Sequence, residues 1–292
     1  MLAVLLALAL ALLLASVAYN AVSQDANVPV TELWHGRFVD GTAYREWGTH
    51  GPPVVLLGGF LEPSFVWSGV GPLLARRHRV FALDLDGFGY TRRAGPFTLA
   101  HWVAQVQAFI RALRLGRPIV VGHSVGAAVA VALAERGAAS RIVLVDGDAL
   151  PVGGPPRLVR ELLARSPFFT TLFRIAVGSD WLVRRILLNA YGPRHPPLDS
   201  AELRRWTRQF RAQGARQALQ GLLEAGVPGV SRAELRRLRV AARVVWGGAD
   251  TVDSASAGRA TARDLRAPFL LVPGAGHLSM LEAPARVARA IG

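Results

Sequence analysis

The sequence predicts an α/β architecture: a doubly wound, mostly parallel sheet of the eight-stranded type, with flanking helices and an inserted helical cap. Three observations predict it. Short β-branched apolar runs alternate with stretches of helical spacing, which is the pattern of parallel strands covered on both faces. No internal repeat breaks the alternation. One interval of about ninety residues between two of the runs is mostly helical and too long for a loop.

The first element is apolar throughout. Leu2 through Ala18 holds eight Leu, six Ala, two Val and one Ser, with no charge. At about 1.5 Å per residue this segment spans about 25 Å, slightly short of a hydrocarbon core of about 30 Å. It predicts either a signal peptide cut at Ser16-Val17-Ala18 or an anchor completed by Tyr19 and its neighbours. Both deliver the chain to a membrane, anchored or exported, with an extracytoplasmic body favoured. Residues 1–20 are therefore set apart from the fold.

Residues 32–39 and 42–47 flank Asp40-Gly41, a hairpin signal. The runs at 54–57, 80–83, 119–121, 142–145, 244–246 and 269–272 predict buried strands. Helical spacing covers 102–113, 125–135, 255–265 and 280–290. The long interval carries breakers at 151–156 and 193–197. The division is a first core part at 21–150, a cap at 151–239 and a second core part at 240–292.

Composition excludes several chemistries. With 51% hydrophobic and 18% charged residues the chain is globular. It has no Cys, which removes disulfides, Cys-type zinc sites, iron–sulfur clusters and cysteine nucleophiles. All 34 basic residues are Arg and the net charge is +14. A nucleic-acid binder would mix in Lys and show a basic motif, so no nucleic-acid partner is expected. Residues 151–240 hold 16 Arg against 6 acidic residues, or +10 of that total. There Leu203, Trp206 and Phe210 recur at near-helical spacing, with Arg204, Arg205, Arg208 and Arg211 mostly on other faces. Such a helix either lies on an anionic membrane surface or packs its apolar stripe over the site. Cap residues Phe168, Phe169, Phe173, Trp181 and Trp206 are candidates for the lining of an apolar pocket or for core.

The chemistry-bearing segment is the apolar run 119–121 followed by Gly122-His123-Ser124-Val125-Gly126 and a small-residue helix. A serine pushed out of a tight strand-to-helix turn needs glycines where backbones approach closely. With 30 Gly and 13 Ser in the chain, about 0.14 chance matches to the five-residue pattern are expected, so its strand–helix context carries the weight.

At these residues the chain resembles the α/β-hydrolase fold family, over nearly everything after about residue 30. Leu56-Leu57-Gly58-Gly59-Phe60 resembles that family's oxyanion loop, with Gly58 where the family usually has His. Asp84-Leu85-Asp86-Gly87-Phe88-Gly89 is similar to the turn after its next strand, and Asp84 and Asp86 are expected to fix that turn. Residues 244–250, ending in Asp250, are similar to the segment bearing the family's acid, and 273–277, ending in His277, to the one bearing its histidine. The resemblance implies Ser124 as nucleophile, His277 as base and Asp250 as the acid, with the backbone N–H groups of Phe60 and Val125 as oxyanion donors. The residue chemistry agrees. A serine hydroxyl needs a base to take its proton, and a carboxylate to hold that base in one tautomer. The chain order Ser124, Asp250, His277 suits this fold. Asp253, Asp146 and Asp148 are the competing acids, and His123 is the one other histidine placed to reach the pocket.

No cofactor and no metal are expected, since no pair of histidines shares a helix face with an acid and no phosphate loop ends in Lys-Ser or Lys-Thr. Ser124 in the nucleophile position argues against relatives that attack with Asp. The expected reaction is hydrolysis of a small-molecule ester-like substrate, apolar in character, through an acyl-enzyme. Haloperoxidase-like, carbon–carbon hydrolase or lyase chemistry on the same triad is the alternative, as is a non-catalytic binding module on this fold.

Overall fold

A computed structural model describes residues 1–292, the side chains of residues 2 and 3 excepted. β1 (Arg37–Val39) and β2 (Thr42–Trp47) form the hairpin, turned by Asp40 and Gly41 in left-handed backbone. β3 (Pro53–Leu57), β4 (Arg79–Leu83), β5 (Ile119–His123), β6 (Arg141–Val145), β7 (Ala241–Gly247) and β8 (Phe269–Val272) follow. The order across the sheet is β1-β2-β4-β3-β5-β6-β7-β8. β1 and β2 are antiparallel to their neighbours, and all other pairings are parallel.

The apolar runs are continuous because both faces are covered. Val55, Leu57, Phe81, Leu83, Val120 and Ile142 point into one core, and Val54, Leu56, Val80, Ala82, Val121 and Val143 into the other. That alternation of successive side chains is the strand period of two. Register then aligns the carboxyl ends. Leu57 lies beside Gly122, His123 beside Val145, Val145 beside Val245, and Gly247 beside Val272. Loops leaving β3, β5, β6, β7 and β8 therefore gather along one edge, where open α/β sheets hold their sites.

Three local expectations change. Residues 32–36 do not extend the hairpin, because Val30–Leu33 closes one helical turn between Pro29 and Gly36. Trp34 then stacks on Tyr90, with centroids 5.1 Å apart. The last helical stretch splits into Ser279–Glu282 and Pro284–Ile291. Pro284 has no N–H to continue the first piece but suits the first turn of the second. The N-terminal helix runs further than the apolar count suggested, over Leu2–Val22. Its 19 residues Val4–Val22 are long and apolar enough to cross a membrane.

Between β6 and β7 lie the helices Arg157–Arg165, Pro167–Gly178, Asp180–Ala190, Ser200–Thr207, Ala215–Ala225 and Arg232–Arg237. Of the pocket-or-core aromatics, Phe173 and Trp206 are buried, packed against Phe210 and Phe65. Phe168 and Trp181 are exposed, and Phe169 is half-buried. The stripe of Leu203, Trp206 and Phe210 packs inward, with Leu203 fully buried. That stripe is not free to lie on a membrane, since its apolar area is spent on the body of the protein. The last helix of the insertion joins the main core through Leu235, which packs in the cluster of Ile142, Leu144 and Val244.

Leu235 is 0% exposed and Leu158 is 67% exposed on the first inserted helix. Leu235→Ala should cost about 2–5 kcal/mol in chemical denaturation, while Leu158→Ala should stay within about 0.5 kcal/mol. Equal effects would show that the last inserted helix is not part of the core.

Candidate active site

Ser124 follows β5 directly and has φ 48 and ψ −118, a left-handed backbone rare for any residue with a side chain. Neighbouring glycines make the turn possible. A Cβ on Gly122 would lie 2.1 Å from the Gly126 carbonyl oxygen, and one on Gly126 would lie 2.8 Å from that of Gly58. One on Gly147 would lie 2.6 Å from the Ser124 carbonyl oxygen. Ser124 N–H donates to the Val145 carbonyl at 3.1 Å, which ties the turn to the end of β6. The helix Val125–Glu135 begins at once, and Val125 through Ala134 are all buried.

His277 and Asp250 come together. His277 Nδ1 lies 2.8 Å from Asp250 Oδ2, and the Asp250 side chain is fully buried. The other oxygen of Asp250 accepts from the N–H groups of Val252 at 2.8 Å and Asp253 at 3.0 Å. The three competing acids are engaged elsewhere. Asp253 accepts from Ser254 N–H and Asp148 from Leu150 N–H. Asp146 takes the N–H of Gly247 at 2.6 Å and both the N–H and hydroxyl of Ser279. It bridges the ends of β6 and β7 to the segment after His277, and burial pushes its pKa up to about 6.

The loop of His277 is held by the insertion. His277 N–H donates to the Ala190 carbonyl at 2.7 Å. Glu282 accepts from Gly276 N–H at 2.8 Å and from Gly192 N–H. A Cβ on Gly276 would lie 2.3 Å from the Gly192 nitrogen, so this contact needs glycine.

The loop after β3 passes close to Ser124. A Cβ on Gly59 would lie 2.9 Å from Ser124 Cβ. Among the described residues, the N–H groups of Phe60 and Val125 donate to no loop or side-chain acceptor. Asp84, further along, accepts from Ser64 and Tyr90 N–H groups and holds its turn as expected.

Sequence reasoning missed Glu62. His123 is fully buried, with Nδ1 2.7 Å from Glu62 Oε2 and Nε2 2.7 Å from the His277 carbonyl oxygen. Glu62 Oε2 also accepts from Gly59 N–H at 2.7 Å. Both ring nitrogens of His123 thus face acceptors, and a neutral imidazole has only one N–H to give. The arrangement calls for an imidazolium beside a carboxylate. Burial works against the charge, but the Glu62 carboxylate, Asp146 and the His277 carbonyl outweigh it and push His123 up to about 9. Burial likewise works against ionised Glu62, and His123 with the Gly59 N–H holds it below the usual glutamate range. Gly58 now has a structural reason: a Cβ there would lie 3.0 Å from the Glu62 carbonyl oxygen and 3.2 Å from Glu62 Cβ. Glu62 could have been suspected only from the loop's missing histidine.

A family model described as "Alpha/beta hydrolase family" matches residues 33–290. N-formylmaleamate deformylase of Pseudomonas putida is 32% identical over 138 residues, covering 46% of this chain and 49% of that enzyme. The chain therefore spans about half the length of this curated relative. A thermophilic esterase from Thermogutta terrifontis, solved with malate bound, superposes with TM-score 0.70 at 25% identity, covering 86% of this chain and 91% of that one. A bacterial membrane phospholipase A superposes with TM-score 0.70 at 24% identity, over 99% of this chain and 96% of that one, which is a likeness of fold.

The raised His123 pKa has a definite sign in stability. A histidine that ionises more easily when folded stabilises fully below its unfolded value of about 6.5. That contribution is lost as pH rises through the folded value of about 9. The melting temperature should fall between those limits, and His123→Asn should flatten that part of the profile. An equally steep fall in the variant would place the titration on another group.

Proposed function

The chain belongs to the alpha/beta hydrolase family, and on that premise we propose that it hydrolyses carboxylic esters through Ser124, His277 and Asp250. The observation that carries this reading is the 2.8 Å pairing of His277 Nδ1 with the buried Asp250 side chain, together with the left-handed backbone that Ser124 adopts at the end of β5. A proton on Nδ1, donated to Asp250, leaves Nε2 as the basic nitrogen. Nε2 takes the proton of Ser124 as its oxygen attacks the ester carbonyl. The N–H groups of Phe60 and Val125 meet the charge that develops on the carbonyl oxygen. His277 then returns the proton to the departing alcohol, and water repeats the sequence on the acyl-enzyme. The likeness to the Thermogutta esterase supports esters. The formylmaleamate relative favours a second reading, hydrolysis of an amide bond by the same three residues.

The helix Leu2–Val22 is proposed as an uncleaved anchor, and the helices between β6 and β7 as a cap. Polar contacts support both. Ser16 Oγ lies 2.7 Å from Thr171 Oγ1, and Asn20 donates to the Pro167 carbonyl at 3.1 Å. Arg174 reaches Ser23 Oγ at 2.8 Å and Asp25 at 3.0 Å. Of these contacts, the one between Ser16 and Thr171 lies within the stretch that a cut after Ala18 would remove, and it supports retention of the helix.

Ser124→Ala should lower p-nitrophenyl ester turnover by about 10⁴–10⁶ with melting unchanged, and should abolish labelling by a fluorophosphonate. Asp250→Asn should lose far more activity than Asp253→Asn. Retained turnover in Ser124→Ala removes the nucleophile, and the reverse ranking of the aspartates moves the acid to Asp253. Faster cleavage of formamides than of matched esters selects the second reading.

A further inference from the structure

The arginines of the helix Ser200–Thr207 and the turn after it have a use that the apolar stripe does not explain. Arg204, Arg205, Arg208 and Arg211 line a pocket of about 510 Å³, joined there by Arg45 from β2. No carboxylate lines it. Among the described residues, Arg204, Arg208 and Arg211 have no acidic group within 4.0 Å, and only Arg205 has one, Glu202 at 3.5 Å.

Two of these guanidinium groups are set in place by aromatic rings. Arg45 stacks over Trp34 at 4.4 Å, and Trp34 lies flat against Tyr90. Arg205 stacks over Phe65 at 4.1 Å. Stacking fixes the plane of a guanidinium and leaves its in-plane N–H groups to donate. Arg45 Nε is buried without a partner, as is Trp34 Nε1 on the same wall. The near carboxylate, Asp84, is already occupied by the N–H groups of Ser64 and Tyr90. Burial lowers the Arg45 pKa, and the charge of Arg205 lowers it further. A half-buried guanidinium and four exposed ones, lining one recess with no carboxylate among them, are an arrangement that an anion completes.

We propose that this pocket binds a phosphate group, that of an anionic phospholipid headgroup. Planar guanidinium forks match phosphate oxygens in pairs. The volume exceeds what a bare phosphate fills and leaves room for the group esterified to it. The lipid source follows from where the pocket lies on the chain. After Val22 the backbone is tied by Asp25 to Arg174 and Arg216, and Val28 N–H then donates to the Arg211 carbonyl. The rim of the pocket is thus reached within a few residues of the apolar helix. Phosphate binding stands on the arginines alone, whereas the lipid source rests on the proposed anchor.

The test uses the full chain in an uncharged detergent. Binding is measured by calorimetry with inorganic phosphate, and with mixed micelles holding phosphatidylglycerol or phosphatidylcholine. Phosphatidylglycerol should bind saturably, and the double variant Arg204→Gln, Arg208→Gln should weaken it at least tenfold. The control Arg76→Gln, Arg77→Gln makes the same change in net charge on another surface and should bind as wild type. Equal weakening by both pairs, or by neither, overturns the site. Binding of inorganic phosphate with no preference for phosphatidylglycerol over phosphatidylcholine overturns the lipid assignment. Ester turnover is followed in the same samples, so loss of binding and loss of hydrolysis are scored separately.

Discussion

The left-handed backbone of Ser124 is the constraint on which the rest of this edge of the molecule depends. Such a conformation costs about 1–3 kcal/mol in a residue with a side chain and persists only where the surroundings over-determine it. Here the surroundings are three backbone contacts too close for any Cβ, at Gly122, Gly126 and Gly147. They lock the start of the helix Val125–Glu135 against the end of β3 and the segment after β6. That helix is almost entirely Ala, Val and Gly and is buried between its neighbours, since larger side chains would hold the backbones apart. The turn, the helix composition and the sheet register are one solution to one packing problem.

Much of this was legible in the sequence. Strands buried on both faces announce themselves as apolar runs, and seven of the eight lie within a few residues of the expected positions. The hairpin's first strand was drawn too long, because Leu33 and Trp34 have strand-like character but bury into a separate cluster with Tyr90. The candidates Ser124, Asp250 and His277 came from motif context, and each lies just beyond a strand end. Glu62 was not. A carboxylate that pairs with a histidine 61 positions away leaves no local period, and its value depends on β3 and β5 being neighbours. Arg45 is a similar case. It reads as an outward residue of a hairpin, and its company with Arg204 and Arg208 is set by how the insertion folds back.

Charge is treated in opposite ways beneath Ser124 and around Arg45. Beneath Ser124, the His123–Glu62 pair is buried, with Glu62 Oε2 also accepting from Gly59 N–H and His123 Nε2 facing the His277 carbonyl. Removing one partner of such a pair strands the other in a low-dielectric interior, so neither tolerates independent change. Around Arg45 the charges are of one sign and sit at the mouth of an open recess. Water and counterions can reach them there, and folding does not require them to be neutralised.

The tie between Asp25 and the two arginines Arg174 and Arg216 decides which part of the molecule carries a load placed on its N-terminal segment. Both arginines belong to the insertion, and Val28 pairs with Ala212 of the same insertion before Leu33 and Trp34 reach the sheet cluster. The segment after the apolar helix is thus fastened to the inserted helices before it reaches the strands. The same insertion grips the loop of His277, through the Ala190 carbonyl and the Gly192 N–H, so a pull on the segment after the apolar helix is borne by the helices that also hold the histidine.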